Sequence, residues 1–249
     1  GANPAPFCLC KGETMSTNTA SRFPTLMPTT FSSGALQLLK LLGVALMTLD
    51  HINSHLWAGS SPLAFNLGRL AMPIFALVFA FNLARPGALE RAAFQRLAMR
   101  LSGYGLLATI PYALLNGAWP VNILLTLLMA AVLCLLLQRG QWHFAALSFA
   151  VGGLFVEYLW FGMALVVAAW WYFKQPTALR MTLLMLVWAG LVVVNGNHWA
   201  LAAIPLVSLL SRTDLKLPRL RRAFYVYYPA HLALICLASS SWPAVGGIT

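Results

Sequence analysis

The chain has 249 residues, 60% of them hydrophobic and 8% charged, with a formal net charge of +11. A soluble domain carries roughly 25% charged residues, so this composition, with a mean hydropathy of +0.77, excludes a soluble globular domain and points to an all-α, polytopic helical membrane protein. No stretch alternates apolar and polar residues with a period of two, which argues against a β-barrel. The basic residues fall in alternate loops, which ties the charge to membrane orientation rather than to nucleic acid.

In chain order, residues 1–34 are rich in Pro, Thr, Ser, Asn and Gly and are expected to form a disordered tail. Met15 followed by Ser-Thr-Asn-Thr has the form of a native start, which makes residues 1–14 a tag or an upstream extension. Residues 35–243 read as a single transmembrane domain and 244–249 as a short C-terminal tail. At ~20 apolar residues per span, the apolar runs predict nine helices, at about 36–57, 62–83, 97–115, 120–138, 142–156, 158–173, 179–195, 198–211 and 223–241. The fifth to the eighth are short for a span.

The loops support that number. The connection at Ser60-Ser61-Pro62 is uncharged, and the next carries Arg85, Glu90, Arg91, Arg96 and Arg100. Asn116-Gly117-Ala118-Trp119 is uncharged, and Arg139 follows the fourth helix. The turn near 157 holds only Glu157, the next loop Lys174 and Arg180, and Asn195-Gly196-Asn197 nothing. The last loop holds Arg212, Asp214, Lys216, Arg219, Arg221 and Arg222. Nine spans with a cytoplasmic N-terminus satisfy the positive-inside rule at every loop. Trp57, Trp119, Tyr158, Trp160, Trp199 and Trp242 fall near the predicted outer ends, as an aromatic belt would. Cys8 and Cys10 lie in the tail, and Cys134 and Cys236 read as small packing residues within spans.

The candidate chemistry lies in the few polar groups inside the spans. Asp50 and His51 sit ~15 and ~17 Å along the first helix from Lys40, and His231 about as deep in the ninth, by the rise of an α-helix. An ionisable group at that depth is a functional-site hypothesis by default, and convergence at one depth suggests a shared, hydrated cavity. Asp50 reads either as part of that site or as a structural partner of Arg69, and His51 either as a base or as a core imidazole. His55 shares a face with His51, but no further ligand completes a metal site, and none is expected. Arg69, in Gly68-Arg69-Leu70-Ala71-Met72-Pro73, must be paired or solvated. Arg96 and Arg100 share a face at the cytoplasmic mouth of the third helix, as membrane anchors or as a phosphate clamp; Arg219, Arg221 and Arg222 carry the same two readings. Tyr228 and His231 follow one another across Pro229, with a hydroxyl able to donate to an oxyanion and an imidazole able to exchange a proton.

Taken together, Lys40 to His51 ending in Leu-Asp-His, Gly68 to Phe75, Arg96/Arg100, and Phe224-Tyr225-x-x-Tyr228-Pro229-x-His231-Leu232 resemble the TraX family, the pilin acetylases of F-type conjugation systems. The resemblance runs from about 36 to 240, and it extends distantly to multi-spanning membrane acyltransferases. Met72 departs from it, where an aromatic residue is expected before the Pro. The resemblance implies acetylation of the pilin N-terminal amine in the bacterial inner membrane, with acetyl-coenzyme A as donor. On it, His51 is the general base oriented by Asp50, and His231 with Tyr228 polarises the thioester carbonyl or protonates the leaving thiolate. Arg96 and Arg100 hold the donor's phosphates, and Arg69 pairs with Asp50 or lines the chamber. A transporter using Asp50 and His51 as a proton relay, or a non-catalytic scaffold for pilus assembly, are the alternatives.

Overall fold

The computed structural model describes residues 27–213, 215, 217–218 and 223–241; Arg219, Arg221, Arg222, Trp242, Cys8 and Cys10 lie outside them. The described residues form helices, with no strand beyond a single bridge between Val121 and Val156. The helices are α1 (Ser33–His55), α2 (Pro62–Gly68), α3 (Ala71–Ala84), α4 (Arg91–Asn116), α5 (Ile123–Gln138), α6 (Trp142–Gly152), α7 (Leu159–Lys174), α8 (Ala178–Gly190), α9 (Val192–Asn195), α10 (Ala203–Leu210) after a 3-10 turn at Trp199–Ala202, and α11 (Ala223–Ser241). Each of the nine predicted apolar runs is therefore helical, with the second, seventh and eighth broken.

Four helical stretches are long and apolar enough to cross a membrane: Ser33–His55, Pro62–Ala84, Ala178–Asn195 and Ala223–Ser240. Four more, Ile123–Gln138, Trp142–Gly152, Leu159–Lys174 and Trp199–Leu210, are apolar but shorter. The outer surface fits lipid rather than water. Leu106, Ile110 and Leu114 repeat every four residues along one exposed face of α4, and Phe144, Leu147 and Val151, spaced three and four apart, line one exposed face of α6. Contiguous apolar stripes of this kind are rare on a water-soluble monomer.

The centre of the bundle is α3 against α7. Ile74, Leu77, Met163, Leu165 and Val166 are sealed there, with Ala76, Ala80 and Ala169 keeping the backbones close. Small residues at such seams let helices approach without a side chain between them. Helix α1 packs on α2 and α3, α11 packs on α4, and α1 meets α11. Residues 27–34, expected in the tail, belong to the bundle. Met27 is fully buried, its carbonyl accepts a hydrogen bond from the Tyr172 hydroxyl at 3.1 Å, and the Phe31 ring stands edge-on to Phe81 and Phe173. Apolar side chains at Met27 and Phe31 dock these last residues of the predicted tail onto the bundle.

Two local features position the site. The second span breaks at Arg69-Leu70 because Pro73 has no N–H to donate four residues back and is tolerated only in a first helical turn. The break places Arg69 between two helices, facing α1. Gly68 permits the approach: a Cβ there would lie 2.5 Å from the Asp50 side chain. On the far wall, the connection into α5 runs beside the connection from α6 to α7. Val121 N–H donates to Phe155 O at 2.7 Å, Glu157 N–H donates to Val121 O at 2.9 Å, and the Thr126 hydroxyl donates to Glu157 O at 3.1 Å.

Candidate functional site

One cavity of about 510 Å³ lies toward the end of the bundle where the uncharged loops are, walled by α1, α2, the start of α3, the end of α4, and the turns before α5 and α7. Asp50, His51, His55, Arg69 and Tyr228 all line it. Its floor and walls also carry Tyr112, Glu157, Tyr158 and Asn195, and Met72 stands where the resemblance led one to expect an aromatic ring.

Asp50 and Arg69 form an ion pair across the α1–α2 contact, with side chains 14% and 16% exposed. Arg69 also donates through Nε to Phe65 O at 3.3 Å and lies over the Phe65 ring. The pairing takes one carboxylate oxygen, and Asp50 Oδ1 is buried without a hydrogen-bond partner.

The partner of His51 is not Asp50 but His231. His51 Nδ1 and His231 Nε2 are 2.9 Å apart, with the ring planes 5° from parallel. His231 Nδ1 lies 3.1 Å from Tyr227 O. A carbonyl can only accept, so His231 Nδ1 carries a proton, and in a neutral ring Nε2 is then an acceptor. His51 Nδ1 must donate to it, which leaves His51 Nε2 as the bare imine nitrogen. That nitrogen makes no hydrogen bond among the described residues, on a ring that lines the cavity. The chain is held further by Tyr227, whose ring is parallel to His231 at 5.1 Å. The Thr48 hydroxyl donates to Val44 O at 2.8 Å, so the Tyr227 hydroxyl must donate to Thr48 across 2.7 Å.

His231 is 5% exposed and does not line the cavity. It backs His51, while Tyr228, edge-on to His231 at 5.4 Å, turns toward the cavity. The two halves of the aromatic cluster in α11 thus face different ways: His231 backs His51, and Tyr228 lines the cavity.

Arg96 and Arg100 lie elsewhere. With Met99, Gly103, Tyr104 and Leu107 they line a separate surface groove of about 410 Å³ that shares no residue with the cavity. Between groove and cavity stand the stacked rings of Tyr104 and Tyr225, their planes 23° apart, and the packed side chains of Leu101, Tyr228 and Leu232. Neither guanidinium makes a hydrogen bond or ion pair among the described residues.

Glu157, Tyr112, Tyr158 and Asn195 were not singled out from sequence. Tyr158, expected in the aromatic belt, lines the cavity instead, and Asn195 sits inside the protein rather than in an outer loop. The available signal was the shortness of the fifth to eighth apolar runs. Helices that short bring their connecting turns inward, where a polar residue meets protein and not water. Cys134 is buried and Cys236 half-buried, both as free thiols.

A family model described as TraX protein matches residues 35–239. A curated relative named Protein TraX from Escherichia coli is 30% identical over 229 residues, covering 82% of this chain and 87% of the relative. A second Protein TraX, from Escherichia coli strain K12, is 34% identical over 118 residues, covering 47% and 46%. No solved structure gives a significant match.

Proposed function

We propose a function from one premise: the chain belongs to the TraX family. On that premise it is a membrane-embedded acetyltransferase that acetylates the N-terminal amine of a conjugative pilin, with acetyl-coenzyme A as co-substrate. The observation that carries the reading is the bare Nε2 of His51, held by His231 at the wall of a cavity that Tyr228 also lines.

An α-amine has a pKa of roughly 7.7–8.0, so part of it is protonated near neutrality and a base is needed to free its lone pair. His51 Nε2 is that base. As the amine nitrogen forms its bond to the thioester carbonyl carbon, His51 takes the amine proton. Tyr228 donates its hydroxyl hydrogen bond to the developing oxyanion. When the carbon–sulfur bond breaks, the proton on His51 goes to the leaving thiolate, and the base is regenerated. Direct transfer is preferred; a trapped acetyl-imidazole in a single turnover without acceptor would reject it.

The same reading gives the chain nine spans in the bacterial inner membrane, with its N-terminus in the cytoplasm. The cavity then opens toward the outer face, where a pilin N-terminus would enter, and the arginine groove lies on the cytoplasmic side, so a donor held there meets His51 only when the Tyr104–Tyr225 contact opens. In a background without native cysteines, Ser60→Cys is expected to react with a membrane-impermeant thiol reagent added outside cells. Gln141→Cys should react only after the membrane is opened. The reverse pattern would invert the orientation.

Arg96→Ala is expected to raise the Michaelis constant for acetyl-coenzyme A by about tenfold, as loss of a charge-assisted phosphate contact would, with turnover changed less. A fall in turnover at unchanged Michaelis constant would reject a phosphate-binding role for the groove. The decisive assay is release of coenzyme A by the purified protein with a pilin peptide, together with a gain of one acetyl group on that peptide. No release, with pilin assembly still dependent on the chain in cells, would favour the scaffold reading.

A further inference from the structure

Two groups in the cavity wall have no role in the transfer just described, and each has a buried side-chain atom with no hydrogen-bond partner. Asn195 is 6% exposed, and neither its Oδ1 nor its Nδ2 has a hydrogen-bond partner. Glu157 Oε2 is sealed from solvent and also has none. Buried polar groups are nearly always paired, so each such orphan needs an explanation. Both line the same cavity as His51.

The backbone that carries Glu157 is fixed on both sides. Its N–H and C=O are held by Val121 and Thr126, so the side chain is presented from a rigid turn. The next two residues, Tyr158 and Leu159, have φ of 63° and 49°, a region that residues with a Cβ rarely adopt. The turn places Glu157, Tyr158 and Leu159 together on the cavity wall.

The wall holds two carboxylates and one guanidinium. Arg69 is committed to Asp50, the one ion pair among the described residues. Glu157 adds a second carboxylate to that single guanidinium, so with both carboxylates ionised the wall is one positive charge short of neutrality. Tyr112, Tyr158 and Tyr228 also line the cavity, which places three aromatic rings around any cation that enters.

We propose that Glu157 and Asn195 form the acceptor-recognition subsite: Glu157 takes the α-ammonium of the incoming peptide, and the Asn195 amide pairs with its first peptide group. The assignment rests on the amine-acetylation reading above and supplies what that reading lacks, a group that selects an amine before His51 removes its proton. The ligand class is a peptide N-terminus with a free, protonated amine. Glu157 acts through charge and hydrogen bonds alone: the ammonium's first proton passes through His51 to water in the cavity before attack, and the second, lost as nitrogen bonds to carbon, is the one His51 delivers to the thiolate.

The test is direct binding to the purified full chain in lipid nanodiscs, without donor. The probes are a peptide copying the pilin N-terminus and its desamino analogue, in which hydrogen replaces the α-amino group. The wild type should bind the amine about ten- to a hundredfold tighter, the scale of a charge-assisted hydrogen bond. Glu157→Gln should bind both peptides alike, and Asn195→Ala should weaken both by similar factors. Equal binding by the wild type, or a preference kept in Glu157→Gln, would overturn the assignment. If Glu157→Gln fails to fold by its melting profile, the wild-type comparison alone decides. Acetylation on the same preparation separates the two readings. Amine preference without turnover keeps the subsite and rejects the transferase. Turnover with an unchanged acceptor Michaelis constant in Glu157→Gln does the reverse.

Discussion

Replacing His51 by glutamine is expected to lower the rate of amine acetylation by about two to four orders of magnitude, the usual contribution of a general base. The argument is one of tautomers. His231 spends its Nδ1 proton on Tyr227 O, which obliges His51 to donate through Nδ1 and to keep its lone pair on Nε2. Glutamine can make a hydrogen bond at that place but cannot accept a proton near neutral pH. His231→Gln should cost less, about ten- to a hundredfold, the scale on which partners that orient a functional imidazole act. It removes the group that fixes the tautomer and leaves the imidazole in the cavity. Initial rates with pilin peptide, corrected for folded protein, measure both. Equal losses would mean that His231 also touches the reacting atoms. A fully active His51→Gln variant would end the general-base assignment.

Arg69→Met is expected to destabilise the bundle by about 3–5 kcal/mol, the cost of leaving one member of a buried ion pair without the other. Both side chains are mostly buried, and Asp50 Oδ1 already lacks a partner, so the stranded carboxylate has little to fall back on. Asp50→Asn alone should cost less, because an amide oxygen still accepts from the guanidinium and carries no charge to strand. The double variant Asp50→Asn/Arg69→Met should recover part of the Arg69→Met loss. Reversible unfolding in bicelles gives all three values. Strict additivity would mean that the two side chains do not depend on one another. The Asp50→Asn variant also separates structure from chemistry: folded and fully active, it would confine Asp50 to holding Arg69.

The physical basis of these two predictions differs in how far it was legible beforehand. That Asp50, His51 and Arg69 belong together followed from the rarity of polar groups in apolar runs and from their depth along two helices. Which of them pair did not follow. Adjacent residues on a helix point about 100° apart, so Asp50 and His51 could not face each other directly, but sequence offers no way to know which side meets α11. The contact between α1 and α11 decided it, giving His51 to His231 and leaving Asp50 to Arg69. The expectation that Asp50 orients His51 is replaced for that reason.

Arg96 and Arg100 illustrate the opposite case. Their shared face is fixed by the helical repeat, and they do line one groove. Their distance from the chemistry is a property of how α4 packs on α11. The rings of Tyr104 and Tyr225, more than a hundred residues apart in the chain, stand side by side where the groove ends.

The sequence by itself determined the class of this protein and its helical plan. Apolar runs and the alternation of basic loops are local properties that depend on the solvent each segment meets. The break at Arg69 was equally local, since Pro73 cannot donate a hydrogen bond in any fold. Only the tertiary structure decided which polar groups are partners and which are left without one. Glu157 and Asn195 read as turn residues because nothing adjacent to them is unusual. They become exceptional when α5, α7 and α9 close around them, because only then are their oxygen and nitrogen atoms taken out of water with nothing in the protein to replace it.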